Sequence, residues 1–298
     1  MASNSKIFPL KVERQQKQSL STTVEPEPGI KAFLPLKFMK IAKPASLPLV
    51  VDLRSKCPPV YDQGNLGSCT AQACACTFSL LNKNVFTPSR LFIYYNERLI
   101  DNCVDYDVGA YLQDGIYSLV KFGVCNEQMW PHIISKFAVK PPDECYAAAL
   151  NHQVLEAVNV VQTLGAMQTC LAAGVPFIVA INVYSSFLTK AVSRTGMVPM
   201  PNYAKDQFLG GHAVVCVGYD QRRKMWLMRN SWGTRWGIKG YFYLPYNYLL
   251  DPTLSSDIWN ITDIENAGKV LVAPTQVKTP LLIAMEKSRH LRNMPIVK

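Results

Sequence analysis

The sequence predicts an α+β fold in which a helical lobe is followed by a β-rich lobe. The chain has 298 residues, 49% of them hydrophobic, which is enough to bury a full core. Segments with helical signals come first in its central part, and short β-branched and aromatic runs come after them. When helices precede strands in this way, the usual result is an α+β protein. We expect the domain to cover residues 47–265, because apolar residues become dense from Leu47 onward.

The helical segments are recognised by the residues at their ends. A first helix is expected from the loop around Cys69 through about Leu81, and a second from Ser89 through RLFIYYNERL. A third passes through YLQDGIYSLVKFG and stops at Gly123, because glycine ends many helices. We place a fourth helix near LNHQVLEAVNVVQTL, at residues 150–164.

The strand segments begin after Gly174. Turns separate four runs rich in aromatic and β-branched residues, which favour strands: PFIVAINV, GHAVVCVGYD, KMWLMRNSW and GYFYLPY. The charged sequence DQRRK between the second and third runs predicts a hairpin turn. These runs predict the β-rich lobe.

The net charge of +10 is concentrated at the two ends of the chain. Residues 1–50 and residues 266–298 each carry a net charge of +5, and the residues between them are balanced. Because a nucleic-acid-binding face needs a basic patch on the folded part, we expect no nucleic-acid partner except through the tails. Residues 1–46 and 266–298 have the composition of an extension and of a basic tail.

Targeting signals and metal-binding patterns are not apparent. The N-terminus lacks the apolar core of a secretory signal, and no run of 18 apolar residues could span a membrane. We therefore expect a reducing compartment, in which most of the nine cysteines are free thiols. Cys69, Cys74 and Cys76 fit no zinc-binding CxxC pair and have no nearby histidine, so we expect no metal and no cofactor.

The stretch QGNLGSCTAQA, residues 63–73, is the first candidate for chemistry. Gly64 and Gly67 would form a tight loop, Ser68 would cap a helix, and Cys69 would lie in its first turn. Unpaired N–H groups at a helix N-terminus favour negative charge, so we expect the pKa of the Cys69 thiol to fall below its free value of about 8.5. A buried structural cysteine explains this fragment equally well.

Two further candidates lie in the β-rich half. His212 follows paired glycines in GGHAVVCVGYD, and Asn230 begins NSWG eighteen residues later. A nucleophilic thiol needs a basic partner, and the imidazole of that partner needs a third group to fix its tautomer. His212 alone could be a satisfied core residue, but Cys69, His212 and Asn230 together supply all three chemistries from different elements.

These three segments resemble the active-site blocks of the papain-like cysteine peptidases, in the order and near the spacings of that family. The similarity includes VVDLRSKCPPVYDQG and GAYLQDGIYSLVKFGVCNEQMWP, and it covers about residues 47–265. It implies a two-lobed papain-like fold, with a helical left lobe, an antiparallel β-barrel-like right lobe, and the active site in the cleft between them. The Cys-Thr-Ala sequence is most similar to the microbial and large-DNA-virus branch, so we expect an intracellular or cytoplasmic location or packaging in a virion.

The resemblance implies a role for each matching residue. Cys69 would be the nucleophile, His212 its ion-pair partner and general acid, and Asn230 the group that orients His212. Gln63 would donate to the oxyanion beside the Cys69 backbone N–H. Trp232 would shield the contact between Asn230 and His212 from water.

The substrate-binding positions follow from the same resemblance. They are expected at Gly109, Ala110, Gly211, Ala180 and Ala213. Ala110 stands where the family usually has a glycine that pairs with substrate backbone, so its methyl group would crowd the cleft. Thr70 replaces a common tryptophan, and Leu66 replaces a common disulfide cysteine. No His-His insertion like that of cathepsin B is present, which favours endopeptidase activity.

The predicted function is a thiol endopeptidase that acts on polypeptides and is made as a precursor. Residues 1–46 would be a short, atypical propeptide, with a permanent stabilising arm as the alternative. Two other functions remain open: a catalytically retired scaffold that binds peptides or partners, and a basic packaging or nucleic-acid-associated protein.

Overall fold

The computed structural model describes residues 46–268. Its α-helices are Cys69–Leu81 (α1), Arg90–Ile100 (α2), Leu112–Phe122 (α3), Asp143–Ala149 (α4), Leu164–Ala172 (α5), Lys190–Thr195 (α6) and Tyr246–Leu250 (α7). Its strands are Val50–Asp52 (β1), Val154–Asn159 (β2), Phe177–Tyr184 (β3), Phe208–Asp220 (β4), Met225–Arg229 (β5), Tyr241–Pro245 (β6) and Ser255–Ile264 (β7). The first three predicted helices and all four predicted strand runs are confirmed, as is the hairpin turn between β4 and β5.

The strands form one antiparallel sheet in the order β2-β7-β3-β4-β5-β6, and β1 also pairs with β4. The 13-residue strand β4 is long enough to serve several neighbours along its length. β3 pairs with its first part and places Ile181 opposite His212, whereas β5 begins its pairing at Val215, opposite Arg229. Asn230 follows Arg229 directly, so the chain leaves β5 close to the part of β4 that carries His212.

Helix α1 joins the two lobes. It packs against α2 and α3 on one side and against β4 of the sheet on the other. Its sequence CTAQACACTFSLL is rich in small residues, which lets these neighbours approach closely, and almost all of the helix is buried. The N-terminus of α1 therefore lies at the junction between the helical lobe and the sheet.

The fourth predicted helix, at residues 150–164, is wrong. The segment Val154–Asn159 is strand β2, which pairs with β7 at the edge of the sheet, and helices α4 and α5 lie on either side of it. β7 was not predicted as a strand, so the sequence offered no partner for VLEAVN. Helix propensity is a weak preference, and the backbone hydrogen bonds of a neighbouring strand override it here.

The predicted extensions lie almost entirely outside the described residues. At the C-terminal end the described chain still contacts the helical lobe beyond residue 265. The backbone N–H of Gly268 donates to Asn82 Oδ1 at 2.9 Å, and Asn266 Nδ2 donates to the Asn151 carbonyl at 2.9 Å. Within residues 46–268, no helix has both the length and the apolar character needed to cross a membrane.

Candidate active site

The loop before α1 places Cys69 at the start of the helix. Gly64 has a left-handed φ of 61°, which suits glycine, and its N–H donates to Asp62 Oδ1 at 2.9 Å. The N–H of Gly67 donates to Asp107 Oδ1 at 3.0 Å and ties the loop to the helical lobe. Because Cys69 is the first residue of α1, its own N–H has no carbonyl one turn earlier within the helix to bind.

The prediction that Ser68 caps this helix is wrong. Its backbone has φ −93° and ψ 24° instead of the extended conformation of an N-cap, and its hydroxyl makes no capping hydrogen bond. The Ser68 Oγ instead accepts a hydrogen bond from Gln72 Nε2 at 3.1 Å. Ser68 is fully buried beside Cys69, so its role in the site is one of packing.

His212 and Asn230 meet as the sequence predicts. The distance between His212 Nε2 and Asn230 Oδ1 is 2.8 Å, and both side chains are buried. The backbone N–H of Ser231 also donates to Asn230 Oδ1 at 2.8 Å, which identifies this atom as the amide oxygen. His212 Nε2 therefore carries the proton, and the neutral ring has its free lone pair on Nδ1.

Aromatic rings cover this hydrogen bond. The ring of Trp232 stacks on that of His212 with centroids 4.7 Å apart and an interplanar angle of 27°. Trp236 and Phe187 pack edge-on against Trp232, at 5.0 Å and 5.8 Å. These apolar rings lie where the shielding role expected of Trp232 requires them.

Gln63 is held from both ends of its amide. Its Nε2 donates to the Leu66 carbonyl at 3.0 Å, and its Oε1 accepts a hydrogen bond from Ser231 Oγ at 2.6 Å. The amide nitrogen has two hydrogens, so one N–H remains after the bond to Leu66. Ser231 thus fixes both Gln63 and Asn230, a role that the sequence analysis missed although Ser231 lies inside the NSWG block.

Cys69 lies close to the strand that carries His212. The backbone N–H of Ala213, the next residue on β4, is among the groups that lower the pKa of the Cys69 thiol, against the larger effect of burial. Helix α1, which begins at Cys69, packs against β4. Cys69, His212, Asn230 and Gln63 are all at most 6% exposed.

Burial determines how this site titrates. It raises the pKa of the Cys69 thiol to about 12 and lowers the pKa of the His212 imidazole to about 4. Burial disfavours the charged form of each group. Between about pH 4 and about pH 12, therefore, the thiol of Cys69 and the imidazole of His212 are both neutral unless the thiol proton passes to His212. The prediction that the helix N-terminus lowers the pKa of Cys69 is therefore wrong, because burial outweighs it. The thiol proton leaves readily only toward a neighbouring base.

Glu97 on α2 lies beneath the nucleophile loop. Thr70, which follows Cys69, donates through Oγ1 to Glu97 Oε2 at 2.7 Å. Glu97 is completely buried, and burial raises the pKa of its carboxyl group well above the ordinary value. Any negative charge on Glu97 would further raise the pKa of Cys69. Thr70 therefore serves as a polar link between α1 and α2.

The expected substrate-binding positions lie in both lobes. Gly109, with φ 75°, and Ala110 precede α3 in the helical lobe, and Ala110 is only 2% exposed. Ala180 on β3 lies directly opposite Ala213 on β4, and Gly211 is paired with Asn182. All nine cysteines of the chain lie within the described residues, and all are free thiols.

The model of the papain family of cysteine proteases matches residues 47–251. An uncharacterised peptidase C1-like protein of Acanthamoeba polyphaga mimivirus is 40% identical over 216 residues, which cover 68% of this chain and 69% of the relative. Xylellain, a cysteine protease from Xylella fastidiosa, is 41% identical with a TM-score of 0.69, over 73% of this chain and 87% of that one.

Structures with lower sequence identity share the fold. A digestive procathepsin L 3 of Tenebrio molitor superposes with a TM-score of 0.58 at 18% identity, over 76% of this chain and 73% of that structure. The family match spans the nucleophile loop, β4 and the NSWG block. The chain belongs to the papain family of cysteine proteases.

Proposed function

We propose that this protein is a thiol endopeptidase in which Cys69 attacks the peptide carbonyl. One observation carries the proposal: the hydrogen bond between His212 Nε2 and Asn230 Oδ1 leaves the lone pair of Nδ1 free in a site shared with the Cys69 thiol. A base with a defined tautomer beside a thiol is the arrangement that activates a nucleophile.

The proton moves within the pair during the attack. As the Cys69 sulfur bonds to the substrate carbonyl carbon, its proton passes to His212, and the resulting ion pair leaves the site with no net charge. The developing oxyanion accepts hydrogen bonds from the backbone N–H of Cys69 and from the remaining N–H of the Gln63 side chain. His212 then protonates the leaving amine, and a water molecule, deprotonated by the same imidazole, hydrolyses the acyl-enzyme.

Endopeptidase action is supported by the absence from the sequence of a His-His insertion like that of cathepsin B. A precursor form, with residues 1–46 as a propeptide, is supported by the occurrence of proforms such as procathepsin L 3 among the related folds. A retired scaffold is disfavoured, since the Cys69, His212, Asn230 and Gln63 set is complete.

Replacement of the nucleophile tests the proposal. Cys69→Ala should abolish the hydrolysis of fluorogenic peptide substrates and leave the unfolding curve nearly unchanged. Cys74→Ala, the same substitution on the same helix but outside the site, should keep most of the activity. If Cys69→Ala keeps turnover within about tenfold of the original protein, Cys69 is not the nucleophile.

A further inference from the structure

The side chain of Asp107 connects the nucleophile loop, residues 63–68, to the helical lobe. Its Oδ1 accepts a hydrogen bond from the backbone N–H of Gly67 at 3.0 Å and another from the hydroxyl of Tyr94 on α2 at 2.5 Å. Gly67 lies 40 residues before Asp107 and two residues before Cys69. One carboxylate oxygen therefore holds the loop that leads into the proposed nucleophile.

The hydroxyl of Tyr94 extends this connection to Gly109, one of the expected substrate-binding positions. The backbone N–H of Gly109 donates to Tyr94 Oη at 3.3 Å. Tyr94 is fully buried, and burial, followed by the bond to Asp107, raises its pKa well above the ordinary value, so the hydroxyl keeps its proton and donates to Asp107. A continuous chain of hydrogen bonds thus runs from Gly67 through Asp107 and Tyr94 to Gly109.

Arg98 on α2 holds the residues just before Asp107. Its guanidinium donates to the carbonyl oxygens of Val104 at 2.6 Å and of Tyr106 at 3.2 Å. It also lies over the ring of Tyr94, 4.1 Å from the ring centroid, and the whole side chain is buried. The position of Asp107 is therefore fixed by contacts to helix α2 on two sides.

No disulfide reinforces this connection. All nine cysteines of the chain lie within the described residues and are free thiols. Hydrogen bonds to a carboxylate are stronger than those between neutral groups, so Asp107 suits a link that must hold without a covalent bond. Gly67 is buried, so its N–H would lose a partner that water replaces poorly if the carboxylate were removed.

We propose that Asp107 is a positioning residue for peptide hydrolysis, which sets the distance between the nucleophile loop and the substrate-binding positions Gly109 and Ala110. A peptide whose backbone lies along these two residues then presents its scissile carbonyl to the Cys69 sulfur. Asp107 takes no part in the bond changes, but a misplacement of about 1 Å can cost about 100-fold in rate. The inference rests on the proposed peptidase function and adds a residue to it.

Two substrates of different length separate positioning from a general loosening of the loop. A tripeptide amide can lie along Gly109 and Ala110, whereas a single-residue amide with the same leaving group cannot reach them. Asp107→Ala should lower kcat/KM at least about tenfold for the tripeptide and much less for the single residue, so that the ratio of the two values falls. Asp107→Asn keeps an oxygen acceptor and should restore the ratio to within about threefold of the unmodified protein.

The hairpin turn between β4 and β5 supplies a matched control. Asp220 Oδ1 accepts hydrogen bonds from the backbone N–H groups of Arg222 and Arg223 at 3.0 and 3.2 Å, so this carboxylate also binds two donors through one oxygen. Asp220→Ala should leave the ratio of the two substrates unchanged. The same ratio in Asp107→Ala, in Asp220→Ala and in the unmodified protein would overturn the proposal.

Tyr94→Phe tests the middle of the chain of hydrogen bonds. It removes the hydroxyl between Asp107 and Gly109 and keeps the aromatic ring beneath Arg98. The ratio of the two substrates should fall again, and the double variant with Asp107→Ala should be no worse than the stronger single variant. Fully additive losses would mean that the two side chains act separately, and would contradict the proposed chain.

Amide hydrogen exchange tests the connection without any activity, on the full chain in the Cys69→Ala background. With Asp107→Ala, the N–H groups of Gly67 and Gly109 should both exchange about tenfold faster, and with Asp220→Ala they should not. Unchanged exchange at Gly67 would overturn the proposal. Normal hydrolysis with an unchanged substrate ratio would refute the role of Asp107 and leave the peptidase standing, whereas no hydrolysis by the unmodified protein would refute the peptidase itself.

Discussion

Ser231 fixes two side chains of the site through two different groups. Ser231 binds the Gln63 oxygen through its hydroxyl and the Asn230 oxygen through its backbone N–H. Only the first of these bonds depends on the identity of residue 231. The position of the Gln63 N–H can therefore be tested without disturbing Asn230.

We predict that Ser231→Ala lowers kcat about tenfold, because Gln63 loses the bond that fixes its amide and the oxyanion donor becomes less well placed. Gln63→Ala should cost more, about 3 kcal/mol of transition-state stabilisation. The double variant should be no slower than Gln63→Ala alone, since both changes act on one donor. Fully additive losses in kcat would contradict a shared role.

We predict that Asn230→Ala is milder than Cys69→Ala, since it removes the group that orients His212 and leaves the nucleophile in place. Steady-state kinetics on one peptide substrate checks this order. Equal losses in two variants with normal unfolding curves would mean that Asn230 does more than orient the imidazole.

The pH dependence follows from the pKa of His212, which burial lowers to about 4. Below that value the ring binds a second proton and can no longer accept the thiol proton, so activity should fall as the pH drops through about 4. Above it, Nδ1 of His212 is free to accept the thiol proton, and activity should stay high past neutrality. An acid limb of kcat/KM with a midpoint at 6.5 or higher would contradict the buried imidazole.

The identity of the site residues could be predicted from the sequence, but their titration could not. Cys69, His212, Asn230 and Gln63 lie in short motifs that resemble the active-site blocks of the papain-like cysteine peptidases. The pKa of Cys69 depends instead on burial and on Glu97, which is 28 residues away on another helix. The failed Ser68 cap has a local cause, because the Ser68 hydroxyl accepts a hydrogen bond from Gln72, one turn later on the same helix.

Among the helices and strands, the end of α3 was predicted correctly, whereas strand β2 was not. Gly123 was correctly predicted as the end of α3, since it adopts φ 68° and ψ −153°, a conformation that is almost restricted to glycine. β2 was mistaken for helix because its partner β7 is about 100 residues away in sequence. Local signals identify helix ends well, whereas edge strands depend on pairing that only the folded chain provides.

We predict that Gly123→Ala destabilises the protein by at least about 2 kcal/mol. A Cβ atom there would lie 1.9 Å from the Ala149 carbonyl oxygen, so the backbone of α3 or α4 would have to move. Gly165→Ala on α5 is the matched control, since the added Cβ would meet no atom within 4 Å apart from its chain neighbours and the backbone of its own helix. It should be neutral or stabilising by up to about 1 kcal/mol. Urea unfolding checks both, and equal midpoints for the two variants would contradict the argument.

For the whole molecule, the net positive charge lies at the two ends of the chain, and residues 1–46 form most of the N-terminal one. We predict that a chain starting at Leu47 hydrolyses a small peptide substrate faster than the full chain at equal active-site concentration, because residues 1–46 would restrict access to the cleft. The full chain should also shorten itself with time. If the full chain is equally fast and stable to self-cleavage, residues 1–46 are a structural arm.

The central claim is that Cys69 is the nucleophile of a working thiol peptidase, and covalent labelling tests it most directly. The protein is incubated with an epoxide inhibitor of papain-like enzymes, its residual activity is measured, and the modified peptide is identified by mass spectrometry. We predict one equivalent of label on Cys69, loss of activity in proportion to labelling, and no label in Cys69→Ala. Label on another cysteine, or full activity with Cys69 labelled, would contradict the account.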